Sequence, residues 1–503
     1  MEFLDNNILL LIILLPSVGS LFLLFFKDTD PVNTRTFAMI ISVAGLILSV
    51  YLFSSALSSK ELGDFSSSIT WLPSLGIHLN LSISGPTSAL VLLNAVIFFA
   101  SILVSRNIEI RPNHFFFWLM LLVGGVYGVF LSQDLFFFFF FYELAVVPMY
   151  LLIAVWGSSS DFVSFIRTKE YGAMKLTLYL VAGSVLVWVG ILALWAEGAE
   201  TLGAFTMDIN TLRNVNYDRD FQLFFFPFFM IGFGILAGLW PFHTWSPDGH
   251  VAAPTAVSML HAGVLMKLGA FGILQIGILL LPEGAIYWSP LFMSLGIINV
   301  LYGSISALAQ QDLKYVIGYS SVSHMGYVLL GLATLNSTGF NGAILQMVSH
   351  GIMTALFFAL VGFIYEQTHT RNIQILEGLA KKMPIAAGFF TLAGLTSLGL
   401  PGLSGFVAEL LIFIGLFKTS PLIAILAIIG AAITAVYILR LIAKVFFGPV
   451  NVQWEHLRDF SKSETLPILF LTLFIVGIGL FPWPIMNVID SGIEQFVAKL
   501  SGV

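Results

Sequence analysis

The sequence predicts an all-α polytopic membrane protein of about 14 transmembrane helices, with two inverted five-helix repeats and broken helices 7 and 12. Three observations lead there. Of 503 residues, 58% are hydrophobic and only 10% are charged, with a mean hydropathy of +0.97, whereas a water-soluble domain carries about 25% charged residues. Apolar stretches long enough to cross a hydrocarbon core of about 30 Å recur along almost the whole chain. Two of these stretches are interrupted by clustered Pro and Gly, five spans apart. A transmembrane barrel is set aside, because no run of apolar and polar residues alternating as barrel strands do is expected here.

The first span, near 4–26, begins "MEFLDNN", with two acids and no basic residue, and reads as a retained helix rather than a secretory signal. Spans near 36–56 and 86–105 complete an N-terminal three-helix segment, residues 1–112. The first repeat, 113–281, holds spans near 113–132, 134–156, 171–196, 221–240 and 253–281. Between its last two spans runs "WPFHTWSPDGHVAAPTAVS", with Pro241, Pro247 and Pro254 in quick succession. The second repeat, 287–447, holds spans near 287–309, 313–333, 339–364, 383–417 and 420–446. Its fourth span contains "SLGLPGLSGF", with Pro401 among Gly399, Gly402 and Gly405. A proline ring removes a backbone donor, and such backbone persists in a bilayer only where protein or water satisfies it. Matched breaks in two repeats are the arrangement in which discontinuous helices mark an ion path. A final loop and span, near 464–489, occupy residues 448–503.

Loop charges orient the bundle. With the N-terminus outside, thirteen of the 21 Lys and Arg, among them Arg167, Lys314 and Arg371, fall in cytoplasmic loops. Lys60, Arg213, Arg219, Lys418 and Lys499 fall outside, which places both termini in the periplasm by the positive-inside rule. The basic residues are scattered rather than clustered, so no nucleic-acid surface is expected. The chain has no cysteine. It therefore holds no disulfide, thiolate zinc site or cysteine-bound iron–sulfur cluster, and any redox centre belongs to a partner.

Charges within spans carry the functional reading. In "FFFFFFYELAVVPMY" Glu143 lies about ten residues into its span, where an ionised carboxylate costs several kcal/mol unless compensated. Lys267, in "HAGVLMKLGAFG", is too deep to snorkel and needs an acidic or aqueous partner. Lys175 lies nearer a helix start. Glu409 follows the second break in "GFVAELLIF", in the part that Glu143 plays in the first repeat. His261, His324 and His350 all lie in spans, and an imidazole that both donates and accepts can bridge such charges. No pair has metal-ligand spacing, and no nucleophile triad or phosphate loop is present. "GFGILAG", at 232–238, reads as a small-residue helix contact rather than a dinucleotide loop.

The stretches "FFFFFFYELAVVPMYLLIAVWG", "WPFHTWSPDGHVAAPTAVSMLHAGVLMKLGAFG", "QDLKYVIGYSSVSHMGYVLLG" and "GLPGLSGFVAELLIF" resemble the antiporter-like membrane subunits of the proton-pumping NADH:quinone oxidoreductase, respiratory complex I. "IYEQTHTRNI" followed by "GLAKKMP" is similar to subunit M, the counterpart of mitochondrial subunit 4. The resemblance covers about residues 80–450. It implies a fourteen-helix subunit in a bacterial inner membrane that moves a proton when quinone reduction elsewhere drives it. NADH, FMN, iron–sulfur clusters and quinone would sit on other subunits, and the neighbours would include the antiporter-like subunits L and N. By resemblance Glu143 is the acid of the fifth helix and Lys267 the lysine of the eighth, with His324 and His350 as links of the middle axis. Glu409 is the ionisable group of the broken twelfth helix, and Lys175 matches a further lysine. One position departs: the family lysine five residues before the proline of "PFH", which pairs with the fifth-helix glutamate, is here Leu236. Lys175 is the expected substitute partner of Glu143, with Lys267 acting through His261 as the second choice. A multisubunit sodium/proton antiporter, a non-pumping module of the membrane arm and an energy-converting hydrogenase subunit are the rival readings.

Overall fold

Broken backbone inside a membrane protein has to find its hydrogen-bond partners locally, and the fold is organised around two places where it does. The computed structural model describes residues 2–27, 30–58, 65–161, 166–449 and 452–501. Lys60 lies outside them. Two helices, α1 (Glu2–Leu23) and α2 (Pro31–Leu57), precede a hairpin of β1 (Ser66–Leu72) and β2 (Ile77–Ser82). Helices α3 (Gly85–Val104), α4 (Pro112–Leu131) and α5 (Leu135–Trp156) follow, then short strands β3 (Ser160–Asp161) and β4 (Ile166–Arg167). Next come α6 (Lys169–Leu202), the single turn α7 (Ile209–Leu212) and α8 (Arg219–Ala237). Past the first break lie α9 (Trp245–Ala252), α10 (Thr255–Leu260) and α11 (Met266–Gly272), the last two joined and prolonged by π-helical turns at His261–Leu265 and Ile273–Ile278. The chain continues as α12 (Pro282–Ala309), α13 (Leu313–Ala333), α14 (Ser337–Thr368), α15 (Pro384–Ser397) and α16 (Ser404–Thr419). It closes with α17 (Pro421–Phe446), α18 (Lys462–Leu480) and α19 (Trp483–Ser501).

Among the described residues twelve spans are long and apolar enough to cross a membrane, and Asn7–Leu23 and Pro384–Ser397 are shorter apolar helices. The apolar middle stretches of Thr255–Ile278 and Ser337–Thr368 are fully buried, whereas most residues of Pro31–Leu57 and Pro421–Phe446 are not. The first pair is the centre of the bundle. Close approach of α6 and α8 depends on Gly183 and Gly232, since a Cβ on Gly183 would lie 2.7 Å from the Gly232 carbonyl oxygen. The small-residue reading of 232–238 is met there.

Two expectations are corrected. The chain does contain an alternating segment: Ile77–His78–Leu79–Asn80–Leu81–Ser82 pairs antiparallel with Ser66–Leu72. Asp134, the N-cap of α5, ties this hairpin to the bundle by accepting from the Phe136 and Phe137 N–H groups (2.9 and 3.1 Å) and from His78 N–H (3.0 Å). The last span is also shorter than the expected 464–489. Pro482 restricts Phe481 to a non-helical φ of −130° and ends α18, and the chain restarts as α19. That helix packs on α3 and α14, where Asn341 donates to Asp490 at 2.7 Å.

Candidate functional site

The first break runs from Gly238, at φ +80°, through Leu239 and a cis Trp240–Pro241 bond to the 3-10 turn Phe242–Thr244. Its loose groups are taken up by Asn299 of α12, whose side chain accepts from Trp240 N–H (2.5 Å) and donates to the carbonyls of Gly238 (3.0 Å) and Val322 (3.1 Å). Trp245 Nε1 donates back to Ile235 at 2.9 Å. The far end of α9 is closed as completely. Its carbonyls at 250, 251, 252 and 253 accept from Ser258 Oγ (2.8 Å), Arg371 (3.2 Å), Ser158 N–H (2.8 Å) and Lys314 Nζ (2.7 Å). All four orphan acceptors that a helix C-terminus leaves are satisfied. The eight-residue helix is thus a rigid platform inside the bundle.

Two ionisable side chains stand on it. Asp248, 4% exposed, accepts from Lys175 Nζ of α6 at 2.8 Å and from Tyr315 Oη of α13 at 2.8 Å, and is paired with Arg167. His250 has Nε2 3.0 Å from Ser246 Oγ, and its ring centroid is 4.1 Å from that of His261. His261 in turn stacks on Trp245 at 5.3 Å.

From there a row of polar groups crosses the centre. Lys267 is fully buried, with Nζ bonded to the Ala262 carbonyl in the π-helical turn and 2.9 Å from His350 Nδ1 of α14. The His350 and His324 rings lie 5.3 Å apart. His324 reaches Ser397 Oγ with Nε2 (2.9 Å), and its Nδ1 lies 3.3 Å from Gln346 Nε2 and 3.5 Å from Glu409 Oε1. Glu409, 4% exposed, sits under the second break, where Gly399 has φ +71° and a Cβ added to it would come within 2.7 Å of Glu409 Oε2. The positive φ is what favours glycine there.

The structure brings together Lys267, His350, His324 and Glu409 as read from the sequence, and it places His261 against His250 at the near end of the row. One expected pairing is overturned. Lys175 is held by Asp248, not by Glu143, because α9 carries a carboxylate into reach of α6. Lys267 meets an imidazole and a backbone carbonyl among the described residues. Glu143 stands apart, half-buried on a face of α5 it shares with exposed Phe140, Val147 and Tyr150. Its polar neighbour is the Ser184 hydroxyl, and its Oε1 has no hydrogen-bond partner among the described residues. Leu236 is fully buried and supplies no charge. Asp248, His250 and Tyr315 escaped sequence reasoning although "SPDGH" stood in view, because its Pro and Gly mark it as a turn and a turn's acid is ordinarily solvated. Lys314 and Arg371 were assigned to loops, yet both are buried.

An amine, two imidazoles and a carboxylate in this order can hand protons along where water bridges the 5.3 Å between the His350 and His324 rings, each imidazole accepting on one nitrogen and releasing from the other. No group of three or more His, Asp or Glu that could hold a metal occurs among the described residues.

Residues 132–434 match the family described as "NADH:quinone oxidoreductase/Mrp antiporter, TM". The chain is 38% identical over 499 residues to NAD(P)H-quinone oxidoreductase chain 4 1 of Synechococcus elongatus, covering 97% of this chain and 91% of that one. It superposes on a chain of respiratory complex I from Thermus thermophilus with bound NADH, with a TM-score of 0.88 and 27% identity, over 98% of this chain and 99% of that one. A chain of the Mrp complex from Dietzia sp. shares the fold at a TM-score of 0.84 and 17% identity, over 99% of each.

Proposed function

The chain belongs to the NADH:quinone oxidoreductase/Mrp antiporter family of membrane subunits, and on that premise we propose that it is the proton-translocating membrane-arm subunit of an NADH:quinone oxidoreductase. Quinone reduction elsewhere in the complex drives proton transfer through its buried row of Lys, His and Glu. The chain itself carries no redox centre. NADH, FMN, iron–sulfur clusters and quinone are bound by other subunits, and the antiporter-like subunits L and N are its neighbours in the arm. It spans a bacterial inner membrane with both termini in the periplasm. Residues 113–281 and 287–447 act as the two repeats, each broken where the polar row enters it.

The observation that carries this reading is the contact series Lys267–His350–His324–Glu409, which joins the two broken regions through side chains that can exchange protons. Lys267→Met removes the amine and keeps an apolar side chain of similar length. In the purified complex reconstituted into proteoliposomes, the variant is expected to assemble and to lose NADH-driven acidification of the lumen. An assembled Lys267→Met complex that pumps at the parent rate overturns the reading. Normal pumping that instead requires sodium would move the chain to the sodium/proton antiporters.

A further inference from the structure

A membrane span ordinarily turns hydrocarbon side chains towards its surroundings, and α17 departs from that at one place. Arg440 stands about 9 Å short of the end of this helix at Phe446, on a face that also exposes Val436 and Leu439. Its guanidinium meets neither an acceptor nor a carboxylate among the described residues. Lys444 follows one turn later, its ammonium bonded to the Gln374 amide oxygen and to no acid among the described residues. Like charges at i and i+4 repel each other. The dipole at a helix C-terminus offsets part of that repulsion, yet it brings no acceptor for the five N–H donors of an arginine. Snorkelling along its aliphatic stem carries the guanidinium to the level of the membrane surface.

Both cations border a pocket of about 30 Å³ at the bundle end that carries the 365–382 loop. Its other walls include Gln310 just past α12, Val316 of α13 and Gln374 of the loop, and no acid is among the residues that line it. One water takes about 10–15 Å³ by this measure, so two or three oxygen atoms fit while the group that bears them stays outside. Along the span from the pocket the outer surface turns apolar: Val436 and Leu439 of α17 and Ile305 of α12 are each more than half exposed. A cluster of anionic oxygens at one end of a hydrocarbon body matches both parts of this surface. A soluble phosphate would satisfy the cations and leave the apolar lane uncovered, and a zwitterionic head would bring an ammonium up against two more cations.

We propose that this pocket binds the phosphate of an anionic phospholipid, held by Arg440 and Lys444, with an acyl chain lying along Val436, Leu439 and Ile305. Arg440 presents parallel N–H groups to two phosphate oxygens, the geometry that suits a guanidinium, and Lys444 adds a point charge. Basic pockets between spans at a membrane surface are places where such head groups dock. The bound lipid would tie the ends of α12, α13 and α17 to the 365–382 loop. Nothing in this inference depends on the polar row being a proton path.

The test uses the intact complex in neutral detergent, with phosphatidylglycerol carrying a photoreactive diazirine on one acyl chain. After illumination, peptide mass spectrometry locates the adduct, which is expected on the stretches of α12 and α17 that hold Ile305 and Val436. Excess unlabelled phosphatidylglycerol should suppress it, whereas phosphatidylcholine and glycerol 3-phosphate should not. In the Arg440→Gln, Lys444→Gln double variant the adduct should fall at least about tenfold, the scale of lost charge-assisted hydrogen bonds, with the thermal midpoint of the complex showing that it is still folded. Arg440→Lys keeps the charge and loses the fork, so its adduct should lie between the two. Equal suppression by phosphatidylcholine would reduce the site to hydrocarbon packing, and equal suppression by glycerol 3-phosphate would make it a site for soluble anions; either overturns the proposal. So does an adduct that the double variant leaves unchanged. An absence of adduct overturns it as well, since the face would then be covered by a neighbouring subunit.

Discussion

The sequence suggests Glu143 and Glu409 as counterpart acids, yet Glu143 stands on α5 and Glu409 on α16, just past the second break, and their surroundings differ in kind. Glu409 is sealed under a glycine-bearing break, 3.5 Å from the His324 imidazole, which joins it to His350 and Lys267. Glu143 looks out from the bundle beside one serine, and Leu236, where the resemblance leads one to expect a lysine, is buried and uncharged. The first half nonetheless has an ion pair of its own, moved to Asp248 on the short helix α9, where Lys175, Arg167 and Tyr315 converge. Depth in a span therefore does not by itself distinguish the two carboxylates. What distinguishes them is the set of polar groups beside each.

The largest effect expected from this contrast is at Glu409. Glu409→Gln keeps the shape and the packing against Gly399 but removes the titrating group at the end of the row, so proton pumping should fall by about a hundredfold, the scale of a lost proton-transfer group. Proton uptake and quinone reduction measured together in proteoliposomes would check it. A loss of only a few-fold would place the exit elsewhere and remove the distinction between the two carboxylates.

Next in size is Asp248→Asn. The change leaves two cations facing an amide, and breaking a buried pair by removing one partner costs about 3–5 kcal/mol. Arg167 is 35% exposed at its side chain, so water recovers part of that and the expected destabilisation is near the lower end, about 3 kcal/mol. The measurement is the thermal midpoint of the purified complex alongside pumping. Asp248→Asn should lower both, whereas Lys175→Met, which leaves Arg167 in place, should lower them less.

How far this was legible follows from how each residue departs from its local background. Lys267, Glu409, His324 and His350 interrupt long apolar runs, so each is visible against the cost of burying it. The breaks at 238–254 and 398–403 announce themselves through Pro and Gly. Asp248 and Lys314 were invisible for the converse reason: they lie beside helix ends, where charge is ordinary, and only the fold shows that those ends are inside. The partner of Lys175 depends on a helix that turns back into the bundle, a long-range fact that spacing does not encode. The hairpin was missed although His78 and Asn80 alternate with Ile77, Leu79 and Leu81, because six residues of alternation are faint among spans of twenty.

A smaller but sharper effect is a coupling. Residues in contact show interaction energies of about 0.5–3 kcal/mol in double-mutant cycles, while separate sites add to within roughly 0.3–0.5 kcal/mol. Lys175→Met combined with Asp248→Asn should be clearly non-additive in the stability of the complex. The same Lys175→Met combined with Glu143→Gln should be additive. Reversed outcomes would return Lys175 to the role the sequence suggested, as the partner of Glu143.

The smallest effect is expected at Glu143 itself. The Ser184 hydroxyl donates to the Leu180 carbonyl one turn back, at 2.8 Å, so its single hydrogen is already used. A hydrogen bond between Ser184 and Glu143 then requires the carboxyl to donate, which only the protonated acid can do. An ionised Glu143 would have neither that bond nor a cation to offset its removal from water, at a cost of several kcal/mol. The neutral acid is the form this site fits, and glutamine reproduces it, with an amide N–H donating to Ser184 where the acid donated O–H. Glu143→Gln should therefore leave pumping within about twofold of the parent, a change below ~0.5 kcal/mol in barrier. Leu236→Lys is the companion experiment, since it supplies the cation that the resemblance leads one to expect at this place. If the missing lysine is what silences Glu143, then Glu143→Gln made in the Leu236→Lys background should cost distinctly more than it does alone, read as the ratio of pumping rates across the four combinations. A Glu143→Gln complex that assembles yet pumps as poorly as Glu409→Gln would mean that some group outside this chain charges Glu143 during turnover, and the two halves would be alike after all.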